Sequence, residues 1–407
     1  MRTFLAFALV LLGAAPHASA QVKLGIDVLR DDGFRLLKGK RVGLVAHPAS
    51  VDSTLTPTVE ILRSAPGVKL VALFGPEHGV WGDEYGGDRI PDRTDPRTGL
   101  PAYSLYGPTR KPTAQMLQDI DALVFDLQDI GARSYTFAST MKVCLEACAE
   151  NAIDFVVLDR PNPLGGERVE GPGLTKEFES FIGLLYVPYV HGMTMGELAQ
   201  LARDEVAPGF KKLHVVKMKG WTRDMVWDDT RLGWVPTSPH IPQPSTCAAY
   251  AATGILGELH VVSIGVGYTL PFEIVGSPDT DADALAKKLN AQTGPPWQGR
   301  PGLYFRAARF KPFFGMFEGK PCQGVQVHID PKTAPTLVEV NYRMIDALGG
   351  AKVMQAGAKR HGSFDKASGS DEPRKWIAEG KNLEPLFTRW REECEKFKQS
   401  RKKYLLY

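Results

Sequence analysis

The chain has 407 residues, 43% of them hydrophobic, and 49 Lys plus Arg stand against 46 Asp plus Glu for a formal net charge of +3. With no basic face, tail or charge block, this balance argues against a nucleic-acid partner, and the ordinary composition argues against a fibrous or low-complexity chain. The length suffices for two domains with ample core.

In chain order, the first element is a targeting segment. Arg2 gives a basic start, an apolar run covers Phe4 to Leu12, and the Ala-x-Ala pattern closes at Ala18-Ser19-Ala20. Residues 1–20 therefore read as a secretory signal cut after Ala20. The run is too short to span a bilayer, and no later stretch is long and apolar enough for stable membrane insertion. The mature protein is expected to be exported, periplasmic or secreted.

Alternating strand and helix patterns follow. "RVGLVA" (41–46), "VKLVALF" (68–74), "ALVFDL" (122–127) and "DFVVLD" (154–159) are continuous apolar runs. Between them, helical patterns cover 54–63, 113–120 and 139–151. Apolar strands separated by helices predict an α/β fold with a parallel sheet covered on both faces. Residues 164–190 form a long Gly-rich excursion, 192–206 a helix, 213–218 a further strand, and the proline-rich 234–247 an irregular connection. A boundary near residue 250 divides a catalytic domain (21–250) from a smaller C-terminal α+β domain (251–407). Cys144, Cys148, Cys247, Cys322 and Cys394 are too few and odd in number for a disulfide framework; Cys144 and Cys148 share a helix face and read as buried small hydrophobes.

Ligands of open parallel sheets sit at the carboxyl ends of the strands. Each run here is followed there by polar residues: His47-Pro48, then Pro76-Glu77-His78, then Gln128 to Arg133, then Asp159-Arg160-Pro161-Asn162. Glu77 is the leading catalytic candidate, because a proline-fixed turn directly after a strand holds its direction, with Trp81 as an apolar neighbour suited to a general acid. The alternative is a turn cap, or an ion pair with Arg133 or Arg160. His78 either orients Glu77 or binds substrate. Asp83, Glu84 and Asp88 are second carboxylates or turn formers. A metal held by Glu77, His78 and Asp83 would have no recognised ligand spacing, and no cofactor is required. Asp129, Arg133, Asp159 and Arg160 suit either an anion clamp or structural ion pairs. Tyr85, Trp81 and Tyr135 offer rings for stacking on a sugar or for packing a lid. His191 precedes a helix start and caps, binds or does neither.

The blocks "VALFGPEHG", "DLQDIGARSYTFAST", "VLDRPNPLGGERVEGP", "HGMTMGELA", "MKGW", "PFE" and "KYLLY" resemble, in this order and over nearly the whole chain, the NamZ-like exo-β-N-acetylmuramidases. The resemblance implies a Rossmann-like parallel-sheet domain, a smaller C-terminal domain and a cleft between them. It also implies removal of terminal N-acetylmuramic acid from the non-reducing end of peptidoglycan fragments. The family's Pro-Glu-His-Gly glutamate falls on Glu77, and the lactyl carboxylate of muramic acid would give Arg133 or Arg160 something to hold. Tyr135, Asn162, Glu170 and His191 join the expected substrate contacts, with Asp83, Glu84 and Glu170 as candidates for a second carboxyl. The chain departs from the family pattern at Trp81, at His240 and at Ile264 and Val266; the last two stand where a Glu and an Arg are usual, and are expected to make the cleft more apolar. The rival reading is a non-catalytic or altered-specificity binder of muropeptides. Oligomeric state is not set by these features.

Overall fold

A computed structural model describes residues 21–87, 91–293 and 302–407. Residues 1–20, expected to be a signal segment, and Asp88 lie outside the described residues. Seven strands form one sheet: β1 (Arg41–Ala46), β2 (Lys69–Gly75), β3 (Arg93–Thr94), β4 (Pro101–Ser104), β5 (Ala122–Asp126), β6 (Asp154–Leu158) and β7 (Leu213–Val216). Their order is β3-β4-β2-β1-β5-β6-β7. All neighbours are parallel except the β3–β4 pair.

Both faces of the central strands are buried, which is why their sequences are apolar without alternation. Leu123, Phe125, Phe155 and Val157 face a core shared with Met141, Cys144, Leu145 and Cys148 of the helix Thr136–Glu150. Ala122, Val124, Val156 and Leu158 point the other way, towards Ile26 and Leu29 of the helix Gly25–Asp31 and Val59 and Leu62 of the helix Thr58–Ser64. The period-2 geometry of a strand sends successive residues to these two cores.

A second sheet of β8 (Ile274–Ser277), β9 (Leu303–Phe310) and β10 (Cys322–Ile329) is antiparallel, in the order β8-β10-β9. The α/β fold with a smaller α+β C-terminal part is thus as expected. The two parts share one core, which runs from Phe125 through Ile255 to Phe305, Tyr342 and Trp390. Residue 250 falls inside the helix Ser245–Gly257, which Asn341 joins to the helix Val338–Ala347 through bonds to Ala251 O (2.9 Å) and from Leu256 N (3.1 Å).

The chain passes from β1 to β2 and β4 on one side, then returns to β5, β6 and β7 on the other. The direction of winding therefore switches between β1 and β5, and the crevice outside their carboxyl ends is where such folds bind ligands. Three elements differ from expectation. β3 and β4 are too short, and β4 too proline-led, to show as an apolar run, and the helix expected over 113–120 is limited to Ala114–Leu117. All five cysteines are buried and free. Among the described residues no helix is long and apolar enough to cross a membrane.

Candidate active site

β2 ends at Gly75, and the chain turns so tightly that a Cβ there would meet Val80 N at 2.9 Å. The turn is closed by Gly79 N donating to Pro76 O at 2.9 Å and holds His78 at φ 71°, a left-handed conformation costly for a side chain of this size. That strained turn presents Glu77 half-buried. Its Oε2 accepts from the Thr136 hydroxyl at 2.8 Å and its Oε1 from the Gly87 amide at 3.2 Å. The Tyr106 hydroxyl is a third partner, and burial together with the Glu77 carboxylate pushes the phenol up to about 12, so it stays protonated. Thr136 is the first residue of a 15-residue helix, whose positive end favours a carboxylate. Neither arginine weighed as a partner neutralises Glu77, and Trp81 turns instead to Asp95 Oδ1 (2.5 Å) and to the Arg97 guanidinium (4.2 Å from the ring centre).

His78 stands next to this carboxylate, and two further histidines act on His78 or feel its charge. His78 Nδ1 donates to Glu84 O at 3.0 Å. The His47 ring, after β1, lies 6.4 Å from that of His78 and is buried. Burial first, and His78 second, lower its pKa to about 3, so it is neutral. His47 Nδ1 accepts from Ala49 N at 3.3 Å, which leaves the proton on Nε2, an atom with no partner among the described residues. His240 also feels His78; burial first, and that neighbour second, lower its pKa.

Asp129 and His191 come together deeper in the crevice. Asp129 Oδ2 accepts from Gly131 N at 2.9 Å and lies 3.4 Å from His191 Nε2. His191 Nδ1 accepts from Met193 N at 3.2 Å, placing its proton towards Asp129. Asp129 Oδ1 is buried without a partner among the described residues. Gly131 is glycine for a steric reason: at φ 85° it packs so close to Asn162 that a Cβ would meet Oδ1 at 2.4 Å.

The remaining expected contacts face the interior. Arg133 gives its guanidinium to the carbonyls of Pro172 (2.8 Å), Val187 (2.9 Å) and Ala367 (3.1 Å), and pairs with no carboxylate among the described residues. Its burial lowers its pKa to about 10. Arg160 pairs with Asp126 at 2.6 Å and is 3% exposed. Both arginines are thus structural ties rather than open clamps. Asp159 accepts from Gly196 N (2.8 Å), Thr194 Oγ1 (2.8 Å) and Tyr407 OH (2.7 Å), fastening the helix Met195–Val206 and the C-terminus to β6. Asn162 shapes its own loop, bonding Met193 O and Leu164 N. Glu170 accepts from Leu337 N (2.7 Å) and Val338 N (3.1 Å) at the start of the helix Val338–Ala347. The Tyr135 hydroxyl donates to Thr237, supporting the turn into the Thr136 helix. Asp83 and Glu84 each lie 3.4 Å from Arg93, and Tyr85 is exposed to solvent. Ile264 and Val266 are half-buried against the main core; Ile264 packs so closely on Gly257 that a Cβ there would lie 2.3 Å from its Cδ1. Among the described residues no cluster of three His, Cys, Asp or Glu is placed to hold a metal.

The N-terminal model of the exo-β-N-acetylmuramidase NamZ matches residues 42–245, and the C-terminal model matches residues 248–407. The chain belongs to the NamZ family. It is 43% identical over 387 residues to the peptidoglycan β-N-acetylmuramidase NamZ of Bacillus subtilis, covering 95% of this chain and 92% of that one. It is also similar to two crystal structures of DUF1343 family proteins from Bacteroides fragilis. One superposes with a TM-score of 0.87 at 44% identity, covering 96% of this chain and all of that one; the other has a TM-score of 0.71 at 29% identity, covering 95% and 99%.

Within this NamZ-family fold, Tyr106 escapes sequence reasoning, because the strand it follows, Pro101–Ser104, is not legible as an apolar run. Thr136 stands three residues ahead of the helix read from the sequence, and nothing in the local pattern gives His47 or His240 a role.

Proposed function

We propose that this protein is an exported exo-acting glycosidase that removes N-acetylmuramic acid from the non-reducing end of peptidoglycan fragments, with Glu77 transferring the proton. The observation that carries the reading is Glu77 itself. It is a half-buried carboxyl at the carboxyl edge of a parallel sheet, held by Thr136, Gly87 and Tyr106 and, among the described residues, paired with no arginine, in a chain of the NamZ family. Three donors fix the direction of the carboxyl while leaving it at the crevice, which is what proton transfer to a glycosidic oxygen requires. His78 and His47 line the same edge and offer ring nitrogens to sugar hydroxyls.

Glycosidases ordinarily use a second carboxyl group, and the separation of the two sets the stereochemical course. Glu170 is committed to capping a helix, so Asp83 and Glu84, on the Glu77 loop, are the stronger candidates. Asp129, tied to His191, is better placed to shape the floor. Export rests on the residue 1–20 pattern of Arg2, the Phe4–Leu12 run and Ala18-Ser19-Ala20.

The test is release of nitrophenol from 4-nitrophenyl β-N-acetylmuraminide by residues 21–407, with Glu77→Gln in parallel. Turnover that disappears in the variant supports the reading. A folded wild-type protein with no turnover overturns it in favour of a binder.

A further inference from the structure

The loop between β9 and β10 carries three phenylalanines in "KPFFGMFEGKP", and they are treated differently. Phe317 tucks into a small core with Ile274, Phe310 and Cys322. Phe313 and Phe314 are left 58% and 45% exposed, among the few large apolar side chains so placed. Two adjacent exposed rings on a well-fixed loop mark a surface that meets something. The loop is fixed by Phe313 N donating to Gly267 O at 2.9 Å and Gly319 N to Pro312 O at 2.8 Å. Phe314 O also sits so close to Gly267 that a Cβ there would lie 2.0 Å away.

These rings continue the crevice. Phe314 lies 5.7 Å from Phe313 and 6.1 Å from His240, inclined to it by 33°. His240 lies three residues after Thr237, which the Tyr135 hydroxyl holds at 2.8 Å, and the residue after Tyr135, Thr136, bonds Glu77 at 2.8 Å. A line of side chains thus runs outward from the half-buried carboxyl to two solvent-exposed rings. An exo-acting site takes the terminal sugar at its deep end, so the rest of the glycan must leave along the exposed end. The apolar C–H face of a pyranose matches an aromatic ring, and a neutral histidine beside it supplies a hydrogen-bonding nitrogen.

We propose that Phe314 and Phe313, with His240, form the wall that stacks the second sugar ring, the one on the leaving side of the scissile bond. This rests on the exo-acting reading above. The experiment is calorimetry on Glu77→Gln protein, which holds substrate without cleaving it. Two probes are used: the disaccharide N-acetylmuramyl-β-1,4-N-acetylglucosamine and free N-acetylmuramic acid. Adding Phe314→Ala should weaken the disaccharide by about tenfold, the equivalent of about 1.4 kcal/mol, and leave the monosaccharide unchanged; Phe314→Tyr should restore the disaccharide. An unchanged disaccharide affinity, an equal loss for both sugars, or no disaccharide binding at all overturns the wall. Because Phe314 is exposed, the variant folds, and because binding is read without turnover, a failure of catalysis in the wild type is seen separately.

Discussion

The Thr136 hydroxyl donates to Glu77 Oε2 across 2.8 Å, joining the first residue of one helix to the turn after β2, 59 positions away. The contact gives the carboxyl a fixed direction where the helix end also favours negative charge. Glu77→Gln should lower kcat by about 10²-fold or more, the usual range for losing a positioned acid or base. Thr136→Val should lower kcat by about tenfold with KM little changed, and Thr136→Ser should recover most of it, because a charged acceptor loses one hydrogen bond. Steady-state kinetics on the chromogenic muraminide read both; a Thr136→Val protein with wild-type kcat would remove the orienting role.

His47 should make the protein acid-sensitive. Its folded pKa of about 3 lies below the ordinary value of 6.5, mainly because burial disfavours the charged ring. Its contribution is fully present above pH 6.5 and is lost as pH falls towards 3, since the unfolded chain takes up a proton that the folded one refuses. His47→Gln should flatten the decline of Tm between about pH 7 and about pH 4 relative to the wild type. Parallel curves would exclude His47 as the source.

Arg133 should matter for stability rather than for substrate. It ties three carbonyls from separate segments, the last of them in the helix His361–Ser368. Arg133→Met should cost about 2–4 kcal/mol in chemical denaturation by leaving buried carbonyls without a donor, with KM for the muraminide unchanged in the protein that remains folded. A selective rise in KM with normal stability would restore the anion-clamp reading.

Tyr407 should hold the C-terminus through its bond to Asp159 and its acceptance from Met218 N at 2.8 Å. Asp159 has its pKa raised to about 6 by burial, partly opposed by the Gly196, Tyr407 and Thr194 donors. Being raised, its contribution is full below the unfolded value of 3.8 and is lost as pH rises through about 6. Tyr407→Phe removes one donor to the ionised form, so it should cost about 1–3 kcal/mol, more above pH 6 than below. Denaturation curves on either side of that pH read the difference, and an equal loss at both would separate Tyr407 from Asp159.

Much of the N-terminal fold was legible because burial on both faces writes itself locally as continuous apolar runs. β1, β2, β5 and β6 each fall within one or two residues of such a run. Glu77 was legible too, since a carboxyl on a proline-led turn after a buried strand sits at the ligand edge of any parallel sheet. β4 was not, and with it went Tyr106: four residues beginning at a proline leave no periodicity to read.

The sequence by itself determined the family, the parallel sheet and the placing of Glu77, because these depend on pattern along the chain. Only the tertiary structure decided which neighbouring polar groups face the crevice. Arg133 and Arg160 follow strands as Glu77 does, yet both turn inward, one to carbonyls of remote segments and the other to Asp126. Thr136, at a helix start, and Tyr106, in a loop, reach Glu77 from other segments. Side-chain direction at a loop is set by partners brought together by packing of the whole core, and no local spacing encodes it.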